Sequence, residues 1–186
     1  METDKINYSI TFLSDWHAGS GLGSGAAADS VVIKDKNNLP YLPGKTIKGL
    51  LKDVLLEIKE VQPDLVSGEE LEALFGKESN NLSEETVNIF FSNATLPKVE
   101  LEAISDEMSP FLYRNISSTK INSNGVAEDS SLRTIEVCVP VTLEGSIAGN
   151  FTSKHLEILK SGLKMLRAIG VQRNRGLGRC KIQIKS

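Results

Sequence analysis

The order of its hydrophobic patterns is the feature that most limits how this chain can fold. Residues 7–14 alternate between apolar and polar side chains and are rich in β-branched and aromatic residues, which predicts a strand. From Pro43 onward, apolar residues recur at helical spacing, so a helix is predicted to run to about Val61. Residues 87–96 again have strand character, with aromatic residues at their centre.

The second half of the chain continues with strand, helix and strand patterns. Residues 132–147 alternate almost throughout and predict a long strand, or a strand pair bent at Pro140. A second helix is predicted to begin at an N-cap, Ser153, and to end at Gly170, and residues 180–185 form a last strand. The order β-α-β-β-α-β predicts an α+β fold with a ferredoxin-like (RRM-like) core.

Loop and hairpin insertions are expected within one domain that covers residues 1–186. Residues 15–28 carry several glycines and predict an extended loop after the first strand. A short helix is predicted over residues 67–75. Residues 97–131 are the least regular part, and residues 117–131 within them are rich in Ser, Asn and Gly. This composition predicts a long hairpin arm or a disordered loop.

Charge is segregated along the chain, although the formal net charge is only −3. Eight Lys or Arg residues follow Glu157, the last acidic residue. Between Asp53 and Glu107 the balance reverses, with 14 acidic residues against three lysines. Segregation of this kind indicates one basic face and one acidic face. The alternative is that these charges form an ordinary solvated surface of helices and loops.

The composition is that of an ordinary globular domain, with 40% hydrophobic and 24% charged residues. No apolar run approaches the ~18 residues that a membrane-spanning helix needs, and the polar start lacks the apolar region of a secretory signal. Only Cys138 and Cys180 occur, without a C-x-x-C spacing. We therefore expect a reduced, cytoplasmic protein with no membrane partner.

Residues 170–179, the glycine-rich loop, combine three glycines with Arg173, Arg175 and Arg179. Glycine lets one backbone approach another closely, and the N–H groups of such a turn can form an anion-binding hollow. The planar fork of arginine suits phosphate. These features predict a loop that meets a nucleic-acid backbone. A turn whose arginines point to solvent is the alternative.

Two further places carry candidate binding residues. Lys45 and Lys48 lie in the first turn of the first predicted helix, where free N–H groups favour phosphate, although both can equally be ordinary exposed lysines. His17 lies in the glycine-rich segment after the first strand, and no acid partner or second metal ligand accompanies it. This favours a structural or RNA-contacting histidine over a general base or a zinc ligand.

Asp29 is the candidate metal ligand. It ends the glycine-rich segment and precedes a short strand predicted at residues 31–34. A carboxylate at this position can hold a hard divalent cation together with phosphate oxygens. Taken alone, an aspartate before a strand is more often a turn residue. Asp15 and Asp35 are weaker candidates of the same kind.

Several segments together resemble the RAMP superfamily of CRISPR proteins. The sequences Phe-Leu-Ser-Asp-Trp-His-Ala-Gly-Ser-Gly (12–21), Asp-Ser-Val-Val-Ile-Lys-Asp (29–35) and Leu-Pro-Tyr-Leu-Pro-Gly-Lys-Thr-Ile-Lys-Gly (39–49) are similar to its N-terminal signature. Residues 90–94 resemble its second-strand motif, and residues 170–179 resemble its C-terminal glycine-rich loop. Within the superfamily, the chain is most similar to the backbone subunit of type III effector complexes.

The resemblance implies a subunit that stacks along a guide RNA. The expected partners are CRISPR guide RNA, target RNA, other RAMP and large subunits, and further copies of this chain in a filament. Within the insertion at residues 97–131, it implies a thumb-like hairpin over residues 117–132 that wedges into the guide–target duplex. The RNA-binding residues that it implies are His17, Lys45, Lys48, Arg133, Gly170, Arg173, Arg175, Gly176, Gly178 and Arg179.

The resemblance also implies cleavage of the target RNA, because Asp29 falls at the position of the family's catalytic aspartate. The implied reaction needs a divalent metal ion, expected to be Mg²⁺ at Asp29. In it, a ribose 2′-hydroxyl attacks the adjacent phosphate and gives a 2′,3′-cyclic phosphate. Two alternatives stay open: a scaffold subunit that holds guide RNA without cutting, and a metal-independent guide-processing nuclease that uses His17.

Overall fold

The structure is a computed structural model that describes residues 4–21, 28–76 and 89–185. Its strands are β1 (Asp4–Phe12), β2 (Ile89–Phe91), β3 (Tyr113–Ser118), β4 (Arg133–Cys138), β5 (Thr142–Gly149) and β6 (Cys180–Lys185). Its helices are α1 (Gly44–Val61), α2 (Gly68–Phe75), α3 (Lys98–Ala103) and α4 (Ser153–Met165).

One antiparallel sheet has the strand order β2-β5-β1-β6, and β3 and β4 pair as a second, two-stranded sheet. At the centre of the sheet, Ile10 of β1 pairs with Leu143 of β5 on one side and with Ile182 of β6 on the other. The two interior strands of the sheet are therefore the first and third core strands. Together with α1 and α4, this order confirms the predicted ferredoxin-like core.

Alternation along β1 decides which face of the sheet is covered. Ile6, Tyr8, Ile10 and Phe12 are buried and belong to the same apolar cluster as the buried faces of α1 and α4. The two helices pack closely because Gly162 carries no side chain: a Cβ there would lie 2.6 Å from the Leu51 Cδ1. Because successive side chains of a strand point to opposite faces, the residues between these four lie on the other face of the sheet, and they are polar.

The start of α1 lies against the second core strand. Pro43 is the N-cap residue, and the Gly44 N–H donates to the side-chain Oδ1 of Asn93 at 3.0 Å. A Cβ on Gly44 would collide with the carbonyl oxygen of Phe91. The predicted start of the helix at Pro43-Gly44 is confirmed, and the glycine is needed for the close approach.

Three sequence predictions need correction. The second core strand is shorter than residues 87–96, because Ser92 Oγ instead of a backbone carbonyl accepts the Ser146 N–H and interrupts the ladder. Residues 31–34 form isolated bridges and no strand. Helix α4 is capped by Thr152, whose hydroxyl accepts the His155 N–H, and it ends at Met165. Residues 22–27 and 87–88 of the predicted elements lie outside the described residues.

The insertion between β2 and β4 is more regular than its composition predicts. It contains α3, a 3₁₀ turn at Ser109–Leu112, and strand β3. The β3–β4 hairpin runs from Tyr113 opposite Cys138 to Ser118 opposite Arg133. The expectation of a hairpin arm is thereby confirmed, and the arm includes the paired residues 113–116 before the segment that we predicted.

No helix among the described residues has the length and apolar character needed to cross a bilayer.

Gly44 and Gly49, two glycines near the start of α1, allow a matched test of packing. We expect Gly44→Ala to destabilise the protein by about 1–3 kcal/mol, because the new Cβ meets backbone that must shift. Gly49→Ala, in the same helix and with nothing within 4 Å of its Cβ, should stabilise it by about 0.5–1 kcal/mol. Urea unfolding measures both, and shifts of equal sign would contradict the packing described here.

Candidate nucleic-acid interface

The glycine-rich loop is fastened to the first loop, which we define as residues 13–21. The Val171 N–H donates to the His17 carbonyl at 3.0 Å, and the Gly178 N–H donates to the Asp15 carbonyl at 2.7 Å. Gly170 and Gly178 both have positive φ, and a Cβ on Gly170 would collide with the His17 carbonyl oxygen. Glycine is required at these two positions because one backbone lies directly on another.

The arginines of this loop are available to a ligand. Arg173 and Arg175 delimit a 3₁₀ turn, and both they and Arg179 are exposed. The Arg179 backbone pairs with the first loop, since its N–H donates to the Ser14 Oγ and its carbonyl accepts the Leu13 N–H. The backbone is therefore fixed while the guanidinium groups reach into solvent.

Trp16 connects the first loop to the end of the β3–β4 hairpin. Its ring stacks on Phe12 with a centroid distance of 4.4 Å and is fully buried. Its backbone N–H and carbonyl both pair with Cys138, at 3.0 and 2.8 Å. The first loop is thus held between the glycine-rich loop on one side and β4 on the other.

His17 is buried, with 1% of its surface exposed. Its Nδ1–H donates to the carbonyl oxygen of Glu136 at 2.6 Å, so in the neutral ring Nε2 accepts from the Ser30 hydroxyl at 3.1 Å. This geometry fits the structural role that we considered for His17. Direct contact between His17 and RNA remains a prediction, and in this conformation the ring has no exposed edge to offer.

Asp29 lies beside the hairpin strand that follows the tip. Its N–H donates to the Thr134 carbonyl at 2.8 Å, and its Oδ2 accepts the Thr134 N–H at 2.7 Å. Ser30 continues the pairing, because its carbonyl accepts the Glu136 N–H at 3.0 Å. Ser30 therefore forms an isolated parallel bridge with Ile135 beside the hairpin, and these contacts orient the exposed Asp29 carboxylate.

Arg133 lies next to this position. It is exposed, it is the first residue of β4, and it pairs with Ser118 across the hairpin. The structure therefore brings Arg133 and Asp29 together at one end of the hairpin ladder. Beyond them the tip carries three exposed apolar side chains, Ile121, Val126 and Leu132.

Glu136 is a central residue that the sequence reasoning missed. Its carboxylate accepts the Val32 N–H at 3.0 Å and pairs with the Lys34 ammonium at 2.8 Å. The same ammonium lies 3.9 Å from the centroid of the Tyr113 ring. The only signal in the sequence is a charged residue between Ile135 and Val137, and it does not reveal partners more than a hundred positions away.

Arg114 is a second residue that the sequence did not reveal. Its Nε donates to Asp15 Oδ2 at 2.7 Å, and its terminal amino group also contacts this oxygen. Asp15 is 7% exposed, whereas 62% of the Arg114 side chain is exposed. Asp15 is therefore the partner of a hairpin arginine, and this contact ties β3 to the first loop.

Lys45 and Lys48 are placed apart from the residues above. Lys45 is exposed and Lys48 is half-buried in the first turns of α1. Asn93, which accepts the Gly44 N–H, follows edge strand β2, whereas the glycine-rich loop precedes the opposite edge strand, β6. A nucleic acid that contacts both groups has to cross the width of the sheet.

The donor set for a metal ion is small. Among residues 4–21, 28–76 and 89–185, no group of three or more His, Cys, Asp or Glu side chains is arranged to hold one. Asp29 fits the way Mg²⁺ binds through one or two carboxylates, with water and phosphate completing the shell. Thiol ligands are unfavourable, since burial raises the pKa of Cys138 to about 12 and that of Cys180 to about 11.

Two solved structures with a similar fold are of one kind of assembly. A chain of the Type III-B Cmr-beta cryo-EM structure bound to cognate target RNA has a TM-score of 0.75 and 13% sequence identity, and the match covers 97% of both chains. A chain of the apo-state structure of Type III-B Cmr-beta has a TM-score of 0.70 and the same identity, covering 97% of this chain and 96% of the other.

Sequence comparison gives the family. No curated protein sequence matches the chain. The family model of the RAMP superfamily matches residues 9–181, a range that starts within β1, ends within β6, and includes the first loop, the hairpin and the glycine-rich loop. The chain belongs to the RAMP superfamily.

Proposed function

We propose that this chain is a guide-RNA-binding backbone subunit of a type III CRISPR effector complex. It cuts complementary target RNA, with Asp29 as the catalytic residue. The observation that carries this proposal is a continuous set of hydrogen bonds. It runs from the exposed glycine-rich loop through His17 and Ser30 to the hairpin, and the Asp29 carboxylate lies at its end. One structural unit thus joins a phosphate-binding loop, a wedge and a reactive carboxylate.

Guide RNA would be held through its phosphates. Arg173, Arg175 and Arg179 extend from a fixed backbone, and Lys45 and Lys48 add positive charge at the start of α1. Contacts to phosphate position a nucleic acid but carry no base information. This suits a subunit that binds guides of many sequences.

The hairpin would separate bases of the guide–target duplex. Leu132 is 68% exposed at its tip, and Ile121 and Val126 are exposed beside it. Apolar side chains of this kind can insert between base steps and unstack them. Because Asp29 is hydrogen-bonded to Thr134 of the same hairpin, the distorted step would lie near the carboxylate.

The reaction would be a transesterification within the target strand. The 2′-oxygen of the unstacked ribose attacks the adjacent phosphorus, the bond from phosphorus to the 5′-oxygen breaks, and a 2′,3′-cyclic phosphate and a 5′-hydroxyl result. Holding the 2′-oxygen in line with the leaving oxygen supplies much of the rate enhancement. A Mg²⁺ ion held by Asp29 would stabilise the charge that develops on the phosphate.

A scaffold subunit of the same complex is the second candidate function. The observation that favours it is the hydrogen bond from the Thr134 N–H to Asp29 Oδ2, because this bond is a structural reason for a carboxylate at position 29. Guide processing by His17 has less support, because this ring is buried and both of its nitrogens have partners.

The partners follow from the proposed role. The subunit would bind guide RNA and target RNA, and it would contact copies of itself and other subunits in a cytoplasmic filament. The segregated charges of the sequence support contacts between copies, because an acidic surface of one copy can meet a basic surface of the next.

Asp29→Asn is the sharpest test of cleavage, because the amide oxygen can still accept the Thr134 N–H while the negative charge is lost. In the reconstituted complex with Mg²⁺ and labelled complementary RNA, we expect cleavage to fall by a factor on the order of 100 or more and target binding to be unchanged. Asp35→Asn is the matched control, since its side-chain oxygen also caps backbone N–H groups. Full cleavage by Asp29→Asn would remove Asp29 from the mechanism, whereas target binding without cleavage by the unmodified complex would leave the scaffold function.

The glycine-rich loop is tested by salt dependence. For Arg173→Ala and Arg175→Ala, we expect weaker binding of guide RNAs of any sequence and a slope of log K against log salt that is shallower by about 0.7–1 per lost phosphate contact. Lys164→Ala, on the exposed side of α4, removes an equal charge and should leave the slope unchanged. Equal slopes in all of these variants would place the RNA elsewhere.

A further inference from the structure

The face of the four-stranded sheet opposite α1 and α4 forms a second surface, which we call the open sheet face. Its side chains are identified by the strand register, because cross-strand partners point to the same side. Asn7 is paired with Ser146 and with Lys185, and Thr11 with Thr142 and Lys181. The open sheet face comprises Lys5, Asn7, Ser9, Thr11, Phe90, Thr142, Glu144, Ser146, Ala148, Lys181, Gln183 and Lys185.

A cleft of about 540 Å³ lies on this face, beneath α3. This volume is within the range of ~300–1,000 Å³ for small-ligand sites, so the cleft can hold a nucleotide. Most of the residues that line it are basic or can form hydrogen bonds, among them Lys5, Lys98, Lys185, Asn7, Asn93 and Ser146. Asn93 also accepts the Gly44 N–H, so the cleft opens beside the start of α1.

Charge in the cleft has the opposite sign to that of the whole chain. Three lysines line it against one acidic residue, Glu144, which gives a formal charge of +2, whereas the chain carries −3. Glu144 is already paired with the Lys185 ammonium. The remaining positive charge, on Lys5 and Lys98, attracts an anionic ligand.

An exposed aromatic ring flanks the cleft. Phe90 is 67% exposed on β2, the edge strand, and its neighbour across the ladder is Ala148, which is too small to cover a ring. Lys5 is the next residue in the same row, paired with Ala148 from the other side. Proteins that bind single-stranded nucleic acids combine an exposed aromatic ring, on which a base stacks, with a basic side chain that neutralises a phosphate.

We propose that the open sheet face binds a single-stranded RNA segment, with one base stacked on Phe90 and the adjoining phosphates neutralised by Lys5 and Lys98. This surface is separate from the glycine-rich loop and from Asp29, and it does not depend on cleavage. A protein partner is disfavoured, because the cores of protein–protein interfaces are depleted in lysine, whereas this cleft is lined by three.

The test uses the full chain and a short fluorescein-labelled oligouridylate in fluorescence anisotropy titrations. We expect Phe90→Ala to weaken binding about 5- to 150-fold, the loss of one base stack. Phe90→Tyr keeps the ring and should bind within about twofold of the wild type, because either aromatic face can carry a base. If Phe90→Ala also binds within about twofold of the wild type, the proposal is overturned.

The lysines are tested by the salt slope of the same titration. For Lys5→Ala combined with Lys98→Ala, we expect the slope to become shallower by about 1.4, since each single-strand phosphate contact contributes about 0.7. Lys160→Ala combined with Lys164→Ala removes the same charge from exposed positions on α4. Equal slopes in the two double variants would overturn the proposal.

Two comparisons separate this inference from its rivals. If Arg173→Ala and Arg175→Ala weaken binding while Phe90→Ala does not, the proposed function stands and the open sheet face fails. If the reverse holds, this face binds RNA and the glycine-rich loop does not. Sedimentation velocity tests whether a second copy of this chain occupies the open sheet face instead. If Phe90→Ala changes the association state and leaves the RNA affinity unchanged, the occupant is a second copy and the RNA proposal fails.

Discussion

The site depends on a close backbone contact between two segments that are far apart in sequence. Gly170 and Gly178 let the glycine-rich loop lie directly on the carbonyls of His17 and Asp15. That contact fixes the first loop, and the first loop in turn pairs with β4 through Trp16. A Cβ at Gly170 would collide with the His17 carbonyl of the first loop, and a Cβ at Gly178 would collide with the carbonyl of Ile169, just before the glycine-rich loop.

Hydrogen bonds that converge on the hairpin complete the arrangement. Glu136 contributes its backbone to His17 and Ser30, and its carboxylate to Lys34. Asp15 receives Arg114 from β3. The Tyr113 hydroxyl donates to the Asn38 carbonyl, and burial raises the pKa of this phenol above its ordinary value. The hairpin is therefore attached to the body by charged and polar contacts around its base.

The core could be predicted from sequence because each of its elements has a local period that reports burial, as β1 shows with its alternate buried residues. Local pattern also explains one error. Leu166 and Ile169 continue the apolar spacing of α4, but they are buried from an extended segment after the helix has ended. The contacts of Glu136 and Arg114 span about a hundred positions, and no local period encodes them. The sequence left two roles open for His17, structural or RNA-contacting, and its burial follows only from the fold.

The isolated bridge at Ser30 and the hydrogen bonds of Asp29 join the carboxylate to the backbone of the hairpin. Asp29 is joined to Thr134 by two hydrogen bonds, and Ser30 is joined to Glu136 by another. Asp29 is thereby held at a fixed place along β4, the strand that leads away from the hairpin tip. In the proposed function, the place where the target strand is bent and the place where the carboxylate acts would therefore be set by the same piece of backbone.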